Sequence, residues 1–173
     1  MIFLKHKLTI FIIVLFLILA SGCTMSYSFT GASIPPTAKT FSVAYFKNNS
    51  SLVEPTMAQV ITDALISRML NQTRLTQVES NGDLDFQGII TSYQPSQPIS
   101  VVDQETTAQN RMTITIKVTF VNRVDDKLNF DKSFSRYADY SSDLDVSSIS
   151  DQYISNIADL LSEDVFNEAV ANW

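Results

Sequence analysis

The clearest structural pattern in the sequence is that of Arg111–Arg123, RMTITIKVTFVNR. Apolar side chains occupy every second position from Met112 to Phe120, and the positions between them carry threonine or lysine. Because successive side chains of a strand point to opposite faces, this pattern predicts a β-strand with one buried and one wet face. That division is typical of an antiparallel sheet covered on one side only.

Four further strands are predicted from shorter alternating patterns. They are Thr40–Phe46, Leu75–Val78, Leu84–Tyr93 and Leu128–Tyr137. In the first of these, Phe41, Val43 and Tyr45 are predicted to share one face. In the third, Gly88 occupies a position of the buried row and indicates a bulge or a close contact. In the last, Lys132 interrupts the inward row.

Two helices are predicted from apolar residues at three- and four-residue spacing. The first is predicted to open at Glu54-Pro55, with proline in its first turn, and to end near Gln72. The second is predicted to span 145–172, with Ser148 and Asp151 resembling a capping box. Its predicted apolar stripe comprises Val146, Ile149, Tyr153, Ile157, Leu160, Leu161 and Val165.

The order strand, helix, several strands, helix predicts an α+β fold. Two amphipathic helices are expected to pack on one face of a mostly antiparallel sheet of four or five strands. The segments 47–51 and 94–110 are polar and are predicted to be loops. The second face of the sheet is expected to be open to solvent or to a partner.

The amino terminus has the pattern of a secretory signal. Lys5 and Lys7 precede a charge-free apolar run at 8–20, which is short for a membrane span. Leu19-Ala20-Ser21-Gly22-Cys23 then resembles a bacterial lipobox, in which the thiol of Cys23 receives a diacylglycerol. The predicted division is therefore a lipoprotein signal peptide at 1–22, a tether at 23–38 and one domain at 39–173. The alternative is a simple cleaved signal with an incidental cysteine.

Composition disfavours several classes of function. The formal charge of −6 becomes −8 without the two lysines of the leader, so broad nucleic-acid binding is not expected. The single cysteine excludes a disulfide framework and a cysteine-based zinc site. The single histidine, His6, lies in the predicted leader, which disfavours catalysis by a neutral-pH proton shuttle. No catalytic residue, metal site or cofactor is predicted.

Charged residues form two groups that call for an explanation. The carboxylate pairs Asp83/Asp85 and Asp143/Asp145 flank a turn and a helix start, where structural roles are expected. Cations are concentrated in the hairpin that the predicted strands Arg111–Arg123 and Leu128–Tyr137 would form. There they are candidates for binding phosphorylated sugar head groups. The alternative is a solvated strand whose lysines discourage aggregation. The candidates are Arg111, Lys117, Arg123, Lys132 and Arg136.

Short motifs along the whole mature chain resemble the LptE family of lipopolysaccharide-assembly lipoproteins, in its Bacteroidota form. They are Tyr27-Ser28-Phe29-Thr30-Gly31, Phe41-Ser42-Val43, Phe46-Lys47-Asn48, Asn110-Arg111-Met112-Thr113-Ile114, Phe134-Ser135-Arg136-Tyr137-Ala138-Asp139-Tyr140, Asp164-Val165-Phe166-Asn167 and Ala169-Val170-Ala171-Asn172-Trp173. The resemblance implies a non-enzymatic protein without a cofactor, anchored on the periplasmic side of the outer membrane. It also implies two partners, an LptD-type β-barrel that the protein plugs and helps to assemble, and lipopolysaccharide.

Two other functions remain open on the sequence. One is a stand-alone, lipid-anchored binding module for a glycan or a peptide, which predicts a deep pocket. The other is an anchored hydrolase with a Ser–Lys or carboxylate pair, which predicts a cleft containing a strongly shifted pKa.

Overall fold

The computed structural model describes residues 34–99 and 108–171, without the side chain of Ala171. The predicted signal peptide, the lipobox and most of the predicted tether lie outside the described residues. Within them, Ile34 packs against the core and Ala38 is buried. No helix of the described part is both long and apolar enough to cross a membrane.

Among the described residues, six strands form a single mixed sheet. They are β1 Thr40–Val43, β2 Lys47–Asn48, β3 Thr76–Gln77, β4 Leu84–Ile99, β5 Gln109–Asn122 and β6 Phe130–Ser141. The strand order is β3-β1-β4-β5-β6, and β2 also pairs with β4. Strand β1 runs parallel to β3 and to β4, whereas β4, β5 and β6 are antiparallel.

The predicted α+β class is confirmed, whereas the count of four or five strands was too low. The prediction also missed the parallel pairs, which a helical crossover between β2 and β3 makes possible. This helix, α1, spans Met57–Gln72, and α2 spans Val146–Phe166 and continues into a π-helical turn at Asn167–Ala171. A 3-10 turn at Asp126–Leu128 joins β5 to β6.

Both helices cover the same face of the sheet. The inward row of β5 is fully buried in one core with residues of α1 and α2, as its alternation predicts. The row consists of Met112, Ile114, Ile116, Val118 and Phe120, each no more than 1% exposed. On α2 the buried side chains include Ile154 and Ala158, while Leu160 is 40% exposed and was wrongly placed in the stripe.

The start of α2 differs from its predicted cap. The side chain of Asp145 accepts a hydrogen bond from the backbone N–H of Ser147 at 2.9 Å. The hydroxyl of Ser148 donates to the carbonyl of Asp145 at 2.7 Å, so Ser148 lies inside the first turn. The capping box at Ser148 and Asp151 was wrong because the aspartate immediately before the helix already caps it.

The first predicted strand is interrupted. The chain leaves the sheet after Val43, so Tyr45 is 60% exposed while Phe46 is completely buried. It rejoins β4 at Lys47–Asn48, which were predicted to be loop. The alternation failed here because the backbone N–H of Phe46 donates to the Thr62 hydroxyl of α1 at 3.1 Å, an interaction outside the sheet.

Strand β4 continues through residues that were predicted to be loop. It reaches Ile99 and includes Pro95 and Pro98. Its pairing with β5 shifts register between Ile90 and Ser92 and again between Gln94 and Gln97. The partner strand β2 ends opposite Ile90, so the prolines lie where β4 has a free side and proline is tolerated.

Gly88 confirms the predicted close contact and gives a stability prediction. A Cβ at this position would lie 2.1 Å from Cε1 of the Phe46 ring. We expect Gly88→Ala to lower the free energy of unfolding by about 1–3 kcal/mol, because the ring must move in a packed core. Urea denaturation measures the loss, and Gly88→Ala combined with Phe46→Leu should lose less than the two single changes together. Simple additivity would contradict the contact.

Candidate functional site

The sheet face opposite the helices, here called the open face, is lined by polar side chains of β5 and β6. Strand β5 contributes Arg111, Thr113, Thr115, Lys117 and Thr119. Strand β6 places Asp139, Tyr137, Ser135, Ser133 and Asp131 opposite them, in that order. The hydroxyls of Thr115 and Ser135 lie 3.0 Å apart in a hydrogen bond. The open face therefore presents hydroxyls, with charged residues between and beside them.

Arg111 is held firmly at one end of the open face. Its Nε and one terminal nitrogen donate to the two carboxylate oxygens of Asp139 at 2.7 and 2.9 Å. Its guanidinium carbon also lies 3.6 Å from the ring centroid of Tyr137, a cation–π contact. The hydrogen bond from Arg111 lowers the pKa of Asp139 and raises the pKa of Arg111 itself. This cation is therefore fixed in position by its neighbours.

Lys117 is held less firmly. Its Nζ lies 2.9 Å from a carboxylate oxygen of Asp131, and the two side chains are 46% and 52% exposed. Exposed ion pairs of this kind contribute about 0–1 kcal/mol, so the lysine can leave its partner at small cost. Of the cations on the open face, Lys117 is the one that an incoming anion can recruit most easily.

Arg123 has a structural role beside β1. It donates to the Gly82 carbonyl at 3.2 Å and to the Asn81 side chain at 3.0 Å. A Cβ on Gly82 would lie 2.6 Å from the backbone of Phe41, so this turn crosses directly over β1. Asn81 has a positive φ of 56°. Arg123 therefore braces a tightly packed turn.

Lys132 and Arg136 lie on the helix side of the sheet. Arg136 Nε donates to Asp164 at 2.6 Å, and Lys132 pairs with Glu168. The last turn of α2 has no basic residue, so these cations offset acids at the negative end of the helix dipole. The hydrogen bond with Asp164 raises the pKa of Arg136.

The structure thus separates the five predicted cations into three groups. Arg111 and Lys117 share the open face but lie six residues apart, about 20 Å along β5. Arg123 braces a turn, and the other two cations bind α2. They do not converge on one phosphate-sized site.

The predicted carboxylate pairs have structural partners. Asp83 accepts hydrogen bonds from the backbone N–H groups of Lys39 and Thr40 at 2.8 and 2.9 Å. Asp85 accepts from the buried Ser42 hydroxyl, and Asp143 from that of Ser141. Asp145 caps α2. No cluster of three metal-ligating side chains occurs among residues 34–99 and 108–171.

Arg68 is an interacting residue that the sequence analysis missed. It joins α1 to α2 by donating to the Ser162 hydroxyl at 2.8 Å and to the Asp159 carbonyl at 3.0 Å. The depression around it holds about 200 Å³. Ligand pockets usually enclose about 300–1,000 Å³. Only the position of Arg68 beside the buried stripe of α1 could have signalled this contact.

Comparison with known proteins connects the chain to one family. The family model described as "LptE: Lipopolysaccharide-assembly" matches residues 38–170. No curated protein sequence matches the chain.

Several solved structures superpose on the chain at low sequence identity. A hypothetical protein from Chlamydia trachomatis superposes with a TM-score of 0.50 at 8% identity, covering 78% of this chain and 99% of that one. A minor lipoprotein from Acinetobacter baumannii gives 0.49 at 10% identity, covering 76% and 91%. The rare lipoprotein B from Shewanella oneidensis gives 0.46 at 10% identity, covering 73% and 91%. At such identities the first of these shows a common fold alone.

Asp83 gives a prediction about pH. Hydrogen bonds from the Lys39 and Thr40 backbone lower its pKa from 3.8, so its ionised form stabilises the fold. This stabilisation is complete above the unfolded-state pKa and is lost as pH falls through the folded-state value. We expect Asp83→Asn to be less stable than the parent near pH 7, with the difference shrinking below about pH 4.

Urea denaturation at several pH values measures this difference. The control is Asp63→Asn, which removes an exposed carboxylate from the middle of α1. It should change stability little. A stability difference for Asp83→Asn that persists unchanged in acid would contradict the role given to the carboxylate.

Proposed function

This chain belongs to the LptE family of lipopolysaccharide-assembly proteins, and we propose that it acts as a lipid-anchored subunit of the outer-membrane assembly machinery. In this proposal it plugs an LptD-type β-barrel, assists the assembly of that barrel and binds lipopolysaccharide on its way to the outer leaflet. Cys23 carries the lipid, residues 23–38 form the tether and 39–173 form the plug. The role requires no catalytic residue and no cofactor.

One structural observation carries the proposal beyond the family. The helices cover one face of the sheet, and the open face presents hydroxyl and ion-paired side chains along β5 and β6. The lumen of a wide barrel is polar, so a plug needs a surface that tolerates polar neighbours and water. The open face has that character, and its exposed Lys117–Asp131 pair can exchange a carboxylate for a phosphate.

The chain direction fits an anchored plug. Strand β1 begins beside the start of β4, so the chain enters the fold there. Strand β4 then extends for 16 residues, about 50 Å at about 3.3 Å per residue. The far end of the β4–β5 hairpin is therefore well separated from the entry of the tether. A plug fixed to the inner leaflet can extend that hairpin away from its anchor.

Affinity capture tests the complex. The tagged, lipidated protein is captured from detergent-extracted outer membranes, and the bound proteins are identified and quantified by mass spectrometry. We expect one large outer-membrane barrel in about one-to-one ratio, because a plug has one site in one lumen. A stable protein that is captured alone contradicts the plug and favours the stand-alone binding module.

The anchor has its own control in the same experiment. Cys23→Ala removes the acceptor of the lipid and should leave the protein unanchored, since firm attachment depends on the acyl chains. A Cys23→Ala protein that still fractionates firmly with outer membranes in the absence of the barrel contradicts lipidation at this residue.

A substitution at Lys117 tests the proposed binding of lipopolysaccharide. We expect Lys117→Glu to weaken lipopolysaccharide binding about five- to tenfold, corresponding to about 1–1.4 kcal/mol, because a carboxylate replaces the most easily recruited cation. The measurement is titration of the folded protein with lipopolysaccharide. Lys127→Glu makes the same change of charge on the exposed turn after β5 and should bind as the parent does. Equal weakening in both variants, or in neither, contradicts a specific role for Lys117.

A further inference from the structure

Strand β6 is an edge strand whose outward backbone groups can be identified. Ser142 N donates to the Ala108 carbonyl at 2.9 Å, one residue beyond the paired segment of β5 and β6. Hydrogen-bonded and non-hydrogen-bonded pairs alternate along an antiparallel ladder. The even-numbered residues of β6 therefore bond to β5, and the odd-numbered ones point their N–H and C=O groups away from the sheet.

The opposite side of β5 gives the same assignment. Arg123 N donates to the Asp83 carbonyl at 2.8 Å, so the odd-numbered residues at this end of β5 bond to β4. The even-numbered residues of β5 therefore form their backbone hydrogen bonds with β6, in agreement with the Ser142–Ala108 bond. The outward groups of β6 form what is called here the open edge. It consists of the N–H and C=O groups of Asp131, Ser133, Ser135, Tyr137 and Asp139.

The open edge is long and regular. All twelve residues of β6 pair with β5 without a register shift. From Asp131 to Asp139 the edge measures about 27 Å at about 3.4 Å per residue. Among the hydrogen bonds of residues 34–99 and 108–171, none uses these five N–H or C=O groups. Such an edge is a template for another strand.

The other exposed strand sides in this sheet are short or protected. Strand β3, at the opposite end of the strand order, has only two residues, too few to be a template for pairing. Beyond Ile90, the free side of β4 contains Pro95 and Pro98 and two register shifts, all of which hinder pairing. Strand β6 contains neither proline nor bulge. Its charged side chains also do not project freely over the edge. Lys132 and Arg136 form ion pairs with acids of α2. Asp131 and Asp139 form ion pairs with cations of β5.

A second copy of this chain is a poor occupant of the edge. Pairing the two open edges over their full length in antiparallel register places Asp131 of each copy opposite Asp139 of the other. Like charges directly opposite each other destabilise a strand pair. This clash occurs at both ends of the two-fold arrangement. In this full-length register the edge therefore favours a strand of different sequence.

We infer that the open edge of β6 binds an extended loop segment of the partner barrel, adding one strand to the sheet. The inference rests on the proposed function. The wall strands of a closed barrel are already paired on both sides, so the added strand must come from one of its loops. The half-buried Phe130 and Phe134 lie on one side of β6 and serines on the other. A segment of about nine residues that alternates apolar and polar side chains matches both rows.

Amide hydrogen exchange on the captured barrel complex and on the free protein tests the inference. The amides of Ser133, Ser135 and Tyr137 should exchange at least about tenfold more slowly in the complex, because each gains a backbone hydrogen bond. The neighbouring even-numbered amides are already bonded to β5 and should change little. Unchanged exchange at the three odd-numbered amides in the complex overturns the inference.

A matched pair of variants tests the same edge by capture. Ser133→Pro removes one outward N–H, whereas Ser133→Ala keeps it and changes only an exposed hydroxyl. We expect the proline variant to retain at least about fivefold less barrel than the alanine variant, with circular dichroism confirming that both are folded. Equal retention by two folded variants overturns the inference. If the proline variant does not fold, the exchange measurement on the parent protein decides.

The outcomes also separate this inference from the proposed function. If the parent protein captures no barrel, the proposed function fails first. If it captures the barrel while the odd-numbered amides remain unprotected, only the strand addition fails. If the free protein already shows protected odd-numbered amides and a dimeric mass by light scattering, a second copy occupies the edge and the inference is overturned.

Discussion

The alternation of apolar and polar side chains along β5 determines where the helices and the neighbouring strands can lie. This strand lies between β4 and β6, and its even-numbered side chains form the buried row beneath the helices. The same even-numbered residues bond to β6, so side-chain direction and ladder partner are coupled along one strand. A shift of one residue would move Met112 and its row to the open face and expose the core. The helices, the open face and the open edge all follow from this register.

Much of the fold could be predicted because its signals are local. The row of β5 and the stripe of α1 depend only on residues close together in the sequence. Prediction failed where a distant contact overrides the local pattern. The N–H of Phe46 donates to α1, which places its ring in the core. Pro95 is tolerated because that part of β4 pairs with β5 alone and has no strand on its other side. The parallel pairing of β1 with β3 and β4 could not be predicted from local patterns either, since it joins residues more than 30 positions apart.

The candidate site was less predictable, for an electrostatic reason. The sequence shows cations concentrated in the hairpin, but not which acids they meet. Arg136 forms an ion pair with Asp164, and Arg111 with Asp139, and the two residues of each pair are 28 positions apart in the sequence. Their ion pairs stabilise the joint between sheet and helix or between strands. Only an exposed, singly paired cation such as Lys117 keeps the freedom that binding a phosphate requires.

The ion pairs of β6 affect both the stability of the fold and the accessibility of the open edge. Charged side chains usually protect a long, regular edge strand against pairing with another chain. The charged side chains of β6 instead form ion pairs on the two faces of the sheet. Arg136 and Lys132 hold the acidic end of α2, where the helix dipole would otherwise oppose those acids. Asp131 and Asp139 are held against β5. Neutralising charge on the faces therefore leaves the backbone of the edge exposed. In a protein that must enter a larger assembly, such an edge offers a site for main-chain recognition that depends little on side-chain charge.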